Sequence, residues 1–310
     1  MEPILIQTKQ VSKSFASTPV LYPIDLSIEK KERVAIIGET GSGKTTLLQL
    51  LSGLIDASSG EIYFEGERVK GPAELLLPGH PGISYLSQSV KLRNHYKVRD
   101  LLERHSIQPQ QDDWVLAKLC RIDQLMERMT DALSGGERQR IGLAIELSKK
   151  PRLLLLDEPF SNLDIGHRNT LRAVLDGLHA AFGLSIVIVS HNPSEILGWA
   201  DRILVMRQGQ CIQIGKPQEI YHTPANEYVA QLLGPYNVLS LSNPTSSGIV
   251  RPENLSFTPT NSICGEGVVE VIEFEGASYL YTIRTIQGPL FVRTMQLQAS
   301  LGDPVTIFTL

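Results

Sequence analysis

A glycine-rich segment, GETGSGKTT, occupies residues 38–46 and directly follows the apolar run RVAII. Phosphate groups need closely spaced backbone N–H donors, and glycines let a chain curve tightly around them. The apolar helix pattern LLQLLSGL comes next, and its N-terminus adds a favourable dipole. Strand, glycine loop and helix in this order predict a phosphate-binding loop. Its predicted nucleotide contacts are Gly38, Glu39, Thr40, Gly41, Ser42, Gly43, Lys44, Thr45 and Thr46.

Two residues of this loop have distinct chemical roles. Lys44 would supply a point charge to the β- and γ-phosphates, and the hydroxyl of Thr45 is placed to bind Mg²⁺. The competing interpretation is a glycine-rich turn with a chance lysine, which the complete spacing and context disfavour. The sequence therefore predicts a site for a nucleoside triphosphate with Mg²⁺.

Two carboxylates follow the run RLLLL at residues 152–156. Four consecutive leucines indicate a buried parallel strand, and ligands of open α/β sheets bind at the carboxyl ends of such strands. Asp157 suits the metal shell, directly or through water, whereas Glu158 suits the activation of an attacking water. An Asp-Glu pair is usually a solvated turn. The strand before it and the phosphate-binding loop upstream reverse that expectation here.

A second phosphate-recognising helix start is predicted at LSGGERQR, residues 133–140. Ser134 and the amides of Gly135 and Gly136 would face an anion at the beginning of a helix. One nucleotide does not need two such loops from one chain. The sequence therefore predicts a head-to-tail homodimer, in which this loop caps the nucleotide bound by the partner.

With these motifs the chain resembles the ATP-binding cassette (ABC) ATPases, with LSGGE in place of the commoner LSGGQ. The resemblance implies ATP as the nucleotide, and it gives roles to further residues. Gln88 matches the glutamine that contacts the metal site, and His191 matches the switch histidine that contacts the γ-phosphate. Asp164 ends SNLD, which matches the loop that crosses the dimer interface. Phe15 falls where the family stacks an aromatic ring on adenine, and a plain core phenylalanine is the alternative.

The resemblance thus implies a compact set of site residues. Glu158, His191 and Gln88 form the catalytic set, and Thr45, Gln88 and Asp157 form the metal set. The phosphate-binding loop, Phe15, Ser134, Gly135, Gly136 and Asp164 form the nucleotide set. Glu137 is expected to be tolerated, because the serine and glycines contact the phosphate. The other histidines and the three cysteines are expected to have surface or packing roles.

The elements that must position these residues occupy the first 234 of 310 residues. At about 150 residues per domain, the length favours two domains. Short β-rich runs alternate with helical patterns up to Gly234, which predicts an α/β domain over 1–234. The spacing over 97–129 predicts a helical insert, within a helical subdomain at about 90–150.

Residues 235–310 form a different kind of segment. They contain no lysine, and three arginines face six acidic residues. The runs GVVEVIEFEG, SYLYTIRTI, PLFVRT and DPVTIFTL predict a small all-β barrel or sandwich, with LSNPTSSG (241–248) as a loop. IVRPENL at 249–255 and GDPV at 302–305 resemble the OB-like accessory domain often called TOBE. The predicted fold is therefore an ABC-type P-loop ATPase domain with a helical subdomain, followed by an OB-like β domain.

This accessory domain resembles that of importer ATPases of the maltose/sulfate/iron/polyamine type. The resemblance implies a homodimer below integral membrane permease subunits, at the cytoplasmic face of the inner or plasma membrane, with an external solute-binding protein as an indirect partner. The segment SVKLRNHYKVRD after Gln88 departs from the more apolar LFPHLTV-like segment frequent in importers, so the docking partner stays open. The β domain is either regulatory or an inert extension of the dimer. The transported solute is not encoded in this chain.

Composition excludes several function classes. The formal charge of −4 gives no footprint for nucleic acid, so no nucleic-acid partner is predicted. The apolar runs are far shorter than the roughly 20 residues of a membrane helix, and no signal peptide is visible. Three scattered cysteines predict a reduced protein without a disulfide frame.

Three rival functions stay open from the sequence. A non-transport ABC ATPase would normally have two cassettes or long coiled coils, which this chain lacks, and an exporter ATPase would usually lack the RPE-bearing β domain. A degenerate cassette serving as a scaffold would require the loss of Lys44, Asp157, Glu158 or His191, and all four are present.

Overall fold

The computed structural model describes residues 3–105, 111–161, 163–239, 248–260 and 262–310. The chain divides into two compact units, Met1–Pro217 and Gln218–Leu310. The strands of the first unit are β1 (Ile4–Phe15), β2 (Thr18–Glu29), β3 (Arg33–Ile37), β4 (Ser59–Phe64), β5 (Glu67–Arg68), β6 (Ile83–Leu86), β7 (Leu153–Asp157), β8 (Ser185–Ser190), β9 (Arg202–Arg207) and β10 (Gln210–Gly215). Its helices are α1 (Lys44–Leu51), α2 (Val98–His105), α3 (Gln111–Leu119), α4 (Gly135–Ser148), α5 (Ile165–Phe182) and α6 (Pro193–Ile196).

The central element of the first unit is a six-stranded sheet with the order β10-β9-β3-β8-β7-β6. Strands β9, β3, β8, β7 and β6 are parallel, and β10 is an antiparallel edge strand. Every residue of β7 and of β8 is buried, as expected for strands covered on both faces. Because the parallel strands end at one edge of the sheet, the residues that follow β3, β6, β7 and β8 meet there.

A second sheet of the first unit is antiparallel, with the order β2-β1-β4-β5. Its apolar side chains share one buried cluster with β3, β7, β8 and β9 of the six-stranded sheet. Leu47, Leu48, Leu50 and Leu51 of α1 belong to the same cluster. Helix α1, which begins inside the glycine-rich loop, is therefore anchored by packing in the core that the two sheets share.

The predicted insert between Gln88 and Ser134 contains α2 and α3, with 3₁₀ turns at Asp123–Leu125 and Thr130–Ala132. Val98, Leu101 and Leu102 of α2 are buried at the helical spacing seen in the sequence. Residues 106–110, which also fall in the predicted insert, lie outside the described residues. The described part of the insert leads into α4, the helix that starts at the LSGGE loop.

The second unit is an antiparallel β structure preceded by two short helices. It contains α7 (Pro217–His222), α8 (Glu227–Leu233), β11 (Asn237–Val238), β12 (Ile249–Val250), β13 (Leu255–Ser256), β14 (Ile263–Phe274), β15 (Tyr279–Thr285), β16 (Gly288–Thr294) and β17 (Pro304–Thr309). Five strands form a sheet in the order β13-β17-β14-β15-β16, the half-barrel of an all-β domain. The predicted β-rich class of this segment is confirmed. The predicted loop at 241–248 lies outside the described residues except for Gly248, and the composition boundary at Gly234 stays a prediction.

Arg251, the arginine of the RPE motif, is a buried cation in the second unit, 2% exposed. Its Nε donates to the carbonyl of Tyr221 at 2.9 Å, and Nη1 donates to the carbonyls of Ala230, Gly234 and Pro235 at 3.0, 3.1 and 3.1 Å. The guanidinium carbon lies 4.1 Å from the centroid of the Tyr221 ring. Burial lowers the pKa of Arg251 below its usual value. One side chain thus satisfies carbonyls at the end of α8 that no helical amide can reach.

Candidate nucleotide site

The glycine loop between β3 and α1 has the backbone that a phosphate cradle requires. Gly41 and Gly43 have φ values of +82° and +95°, which side chains with a Cβ rarely adopt. A Cβ on Gly38 would collide with the carbonyl oxygen of Met206. The sequence therefore needs glycine at these positions for the loop to form, independently of any ligand.

Lys44 points into this loop although it is a charged side chain, only 6% exposed. Its Nζ donates to the carbonyls of Gly38 and Glu39 at 2.8 and 2.7 Å, and lies 3.3 Å from Ser42 Oγ. Burial lowers the pKa of Lys44, and the nearby carboxylate of Glu158 acts in the opposite direction. The ammonium is thus held inside the curve of the loop, where phosphate oxygens could replace its carbonyl acceptors.

Asp157, the last residue of β7, lies beside Thr45 at the start of α1. Burial raises the pKa of its carboxyl, and hydrogen bonds from the hydroxyls of Thr45 and Tyr85 act against that rise. Tyr85 Oη donates to Asp157 Oδ2 at 3.2 Å, and burial together with the Asp157 charge raises the pKa of Tyr85 to about 12. The hydroxyl of Thr45 and the carboxylate of Asp157 therefore lie next to each other, close to the glycine loop.

This donor set fits Mg²⁺ because it consists of hard oxygen ligands. Among the residues that the structure describes, no three His, Cys, Asp or Glu side chains converge in a group that could hold a metal ion. Mg²⁺ is usually held by one or two protein oxygens together with substrate phosphates, so a sparse protein set is what such a site needs.

The side chain of Glu158, which follows β7, contacts residues that follow β6 and β8. Its Oε2 accepts from Gln88 Nε2 at 3.1 Å, after β6, and lies 3.3 Å from His191 Nδ1, after β8. Glu158 has φ +46°, unusual for a residue with a Cβ, and its amide donates to the Val189 carbonyl at 3.0 Å. The structure thus brings together all three residues of the predicted catalytic set.

Ser134 is the N-cap of α4 and forms a reciprocal capping box with Glu137. Ser134 Oγ accepts from the Glu137 amide at 3.3 Å, and Glu137 Oε2 accepts from the Ser134 amide at 2.8 Å. The hydrogen bond from that amide lowers the pKa of Glu137, and Arg128 Nη1 lies 3.3 Å from Oε1. The glutamate of LSGGE therefore orients the serine beside it.

Asp164 caps α5, the helix that follows the SNLD segment. Its Oδ1 accepts from the His167 amide at 2.8 Å, and its Oδ2 accepts from His167 Nδ1 at 2.6 Å. Asn162 of the same segment lies outside the described residues. Ser161 Oγ donates to the Glu158 carbonyl at 2.8 Å. The SNLD segment therefore begins in contact with Glu158, the residue with positive φ.

Phe15 ends β1 just before the turn into β2, and its side chain is 48% exposed. This exposure argues against the alternative of a plain core phenylalanine. Lys13 Nζ lies 5.0 Å from the centroid of the ring. Val20, on the neighbouring strand, approaches the glycine loop, because a Cβ on Gly43 would lie 3.1 Å from its carbonyl oxygen.

Two residues of this region were not predicted from the sequence. Tyr85 bonds to Asp157, and His167 bonds to Asp164. Tyr85 lies in an ordinary β-strand pattern and had no local signal, whereas the three-residue spacing of Asp164 and His167 at a helix start was a local signal for their contact. The contact of Tyr85 with Asp157 depends on the pairing of β6 with β7, whereas His167 bonds to Asp164 three residues earlier, at the start of the same helix α5.

Two family models match the chain in the order of its two units. The model described as ABC transporter matches residues 21–161, and the model described as TOBE domain matches residues 249–307. Among solved structures, cbiO1 from Clostridium perfringens, part of the ABC transporter complex cbiONQ, is similar with a TM-score of 0.64 and 25% sequence identity. That likeness covers 71% of this chain and 91% of the other.

Several curated relatives cover most of the chain. The glucose import ATP-binding protein GlcV of Saccharolobus solfataricus is 31% identical, over 92% of this chain and 90% of that protein. The spermidine/putrescine import ATP-binding protein PotA of Nostoc sp. is 31% identical, over 92% and 85%. The sulfate/thiosulfate import ATP-binding protein CysA of Pseudomonas putida is 38% identical, over 82% and 79%.

Proposed function

The chain belongs to the family of ABC transporter ATP-binding proteins with a C-terminal TOBE domain, and we propose that it is the motor of an importer, binding ATP with Mg²⁺ in a head-to-tail homodimer. An ABC-type transport ATPase works as part of a complex with membrane subunits. Its ATPase domain comprises residues 1–234 and its TOBE domain residues 235–310. The names of the three relatives, which specify glucose, polyamine and sulfate import, support import without selecting a solute.

The observation that carries the proposal is the convergence at Glu158 Oε2. An amide from Gln88 and an imidazole from His191 lie within 3.3 Å of one carboxylate oxygen, next to the buried Lys44. A general base needs a fixed orientation and a neighbour that orients the water it deprotonates. Glu158 accepts the proton of the attacking water, and Gln88 orients the carboxylate. His191 donates toward the γ-phosphate.

Mg²⁺ would be held by the Thr45 hydroxyl and Asp157, with Gln88 at its edge, and it would neutralise charge on the β- and γ-phosphates. The other work is done by residues of the chain. The loop amides at residues 38–46 and Lys44 bind the phosphates, and Phe15 stacks on the base. Tyr85 keeps the Asp157 carboxylate turned toward Thr45 through its 3.2 Å hydrogen bond.

Ser134, Gly135 and Gly136 of one protomer cap the ATP that is bound by the other. The capping box fixes Ser134 at the beginning of α4, beside the first amides of the helix. Asp164 holds the start of α5 at the dimer interface. The dimer closes when the γ-phosphate links the two protomers, and it opens after hydrolysis.

The metal requirement is tested on the purified full chain. Chelation of Mg²⁺ with EDTA is expected to reduce phosphate release from ATP to background, because Asp157 then repels the phosphates. Binding of a fluorescent ATP analogue is expected to persist at lower affinity, since the loop amides and Lys44 do not depend on the ion. Excess Mg²⁺ should restore turnover. Full turnover in EDTA would refute the role of Thr45 and Asp157.

The membrane subunit docks in a groove between the segment after Gln88 and α4. This groove, of about 290 Å³, is lined by Leu86, Val90, Leu101 and Ile145 and by the exposed cations Lys91 and Arg93. A Cβ on Gly142 of α4 would lie 2.6 Å from Val90 Cγ1, so the segment after Gln88 packs directly on the LSGGE helix. A partner seated there contacts both the Gln88 segment and α4.

The two cations select a docking segment that carries carboxylates. Charge reversal of both residues, Lys91→Glu with Arg93→Glu, is expected to abolish copurification with coexpressed membrane subunits. ATP turnover of the isolated chain should change by less than about twofold, since both side chains are exposed. Lys70→Glu with Lys216→Glu is the matched control. Retained copurification of the groove variant would exclude this surface as the docking site.

The chain acts at the cytoplasmic face of the inner or plasma membrane, held there by its partners. In the described parts of the chain, no helix combines the length and apolar character needed to span a bilayer. The external solute-binding protein acts on the motor only through the membrane subunits. The formal charge of −4 continues to argue against a nucleic-acid partner.

A further inference from the structure

Gly136 of the LSGGE loop is a glycine inside a helix, where alanine is normally favoured by about 1 kcal/mol. It lies in the first turn of α4 and has no positive φ that would require glycine. The space that a side chain would need is occupied by His167. A Cβ on Gly136 would lie 2.7 Å from His167 Cδ2, 3.0 Å from Cγ and 3.2 Å from Cβ.

The imidazole ring cannot easily leave this position. His167 Nδ1 donates to Asp164 Oδ2 at 2.6 Å, and the backbone amide of His167 donates to Oδ1 of the same carboxylate at 2.8 Å. The histidine Cβ is also fixed by α5. Rotation of the ring would break the bond to Asp164 and would still leave this Cβ close to position 136. One carboxylate therefore sets both the helix start and the ring orientation.

We propose that His167 is a positioning residue that locks the LSGGE loop to the SNLD segment within one protomer. The inference rests on the proposed function, in which both segments face the same partner protomer. A fixed distance between them lets Ser134 reach the partner's ATP while Asp164 stays at the interface. Gly136 is then required by a neighbour in its own chain, in addition to any close approach of a phosphate.

A double-mutant cycle separates these two reasons for the glycine. Gly136→Ala keeps the backbone N–H, so any loss of turnover reflects the added methyl group. If the methyl clashes with His167, removal of the imidazole should relieve most of the clash, because only the 3.2 Å approach to the Cβ of residue 167 is left. If it clashes with the partner's phosphate, removal of the imidazole should change nothing. The variants are G136A, H167A and G136A/H167A of the full chain, with H167N retaining a donor near the Nδ1 position.

G136A is expected to lower ATP turnover about 10-fold or more, but only about threefold or less when measured in the H167A background. H167N should exceed H167A in turnover, because its amide can still bond to Asp164. His179→Ala, at the other end of α5, is the control. In the His179→Ala background, G136A should lower ATP turnover by the same factor as in the wild type. The same loss in the H167A background, or no loss from G136A at all, would overturn the proposal.

The same variants report on the contact without any turnover. The thermal unfolding midpoints of wild type, G136A, H167A and G136A/H167A should also be non-additive, with the double variant more stable than the two single shifts predict. Absence of hydrolysis in the wild-type chain would refute the proposed function. Additive midpoints would refute the His167 contact itself, so the two failures are distinguishable.

Discussion

Glu158→Gln is expected to reduce ATP turnover by about 10²- to 10⁴-fold, the contribution typical of a positioned general base. Glutamine has the same shape, and its amide oxygen can still accept the 3.1 Å hydrogen bond from Gln88. It cannot accept a proton from water. ATP binding should therefore persist, and the closed dimer should accumulate because the step that opens it is blocked.

Two measurements check this result on the same preparation. Phosphate release gives the turnover, and light scattering during size-exclusion chromatography with ATP and Mg²⁺ gives the mass. The control is Glu195→Gln, a carboxylate near the end of β8 whose Oε2 accepts from Ser190 Oγ at 2.6 Å. The control variant should keep its turnover, and its dimer should not accumulate because hydrolysis reopens it. Wild-type turnover of Glu158→Gln would remove this residue from the catalytic role.

Ser134→Arg is expected to lower turnover by about 10²- to 10³-fold, as does the loss of one fixed donor in other active sites. The arginine removes the capping hydroxyl and fills the space in which the partner's nucleotide would sit. Binding of ATP to the monomer should be unchanged, because the phosphate-binding loop is intact. Ser134→Thr keeps an N-cap hydroxyl and is the matched control, with turnover close to that of the wild type.

A mixing experiment tests the arrangement in trans. Ser134→Arg and Lys44→Ala are each expected to be inactive alone. Every site in a dimer of identical variants lacks either a working LSGGE loop or a working glycine loop. A mixed dimer combines the intact glycine loop of one variant with the intact LSGGE loop of the other. Activity above the sum of the two variants is the expected result. A mixture as inactive as its components would contradict the head-to-tail model.

The site was predictable from the sequence where the chemistry is local in the chain. Gly41, Gly43 and Lys44 lie in one short loop, and the strand before it and the helix after it are both visible as apolar patterns. The meeting of Gln88, Glu158 and His191 is less local. It follows from strands that end at one sheet edge, an arrangement that alternating β and α patterns already favour.

Contacts that depend on how two separate elements pack were not predictable. The ring of His167 below Gly136 depends on how α5 packs beside α4, and no spacing in either helix encodes it. The bond from Tyr85 to Asp157 depends on the register of β6 against β7. The left-handed backbone of Glu158 has no sequence signal either, because glutamate gives no indication of positive φ.

Arg251 bears on how this chain could be shortened during evolution. Its four carbonyl acceptors lie between residues 221 and 235. Separation of this segment from the β strands would therefore remove the hydrogen bonds that connect them. A stop codon after residue 234 would keep all the predicted nucleotide-binding residues, but the carbonyls at the end of α8 would lose the guanidinium of Arg251. A stop codon near residue 217 would remove donor and acceptors together. A gene that loses the β domain should therefore lose α7 and α8 with it.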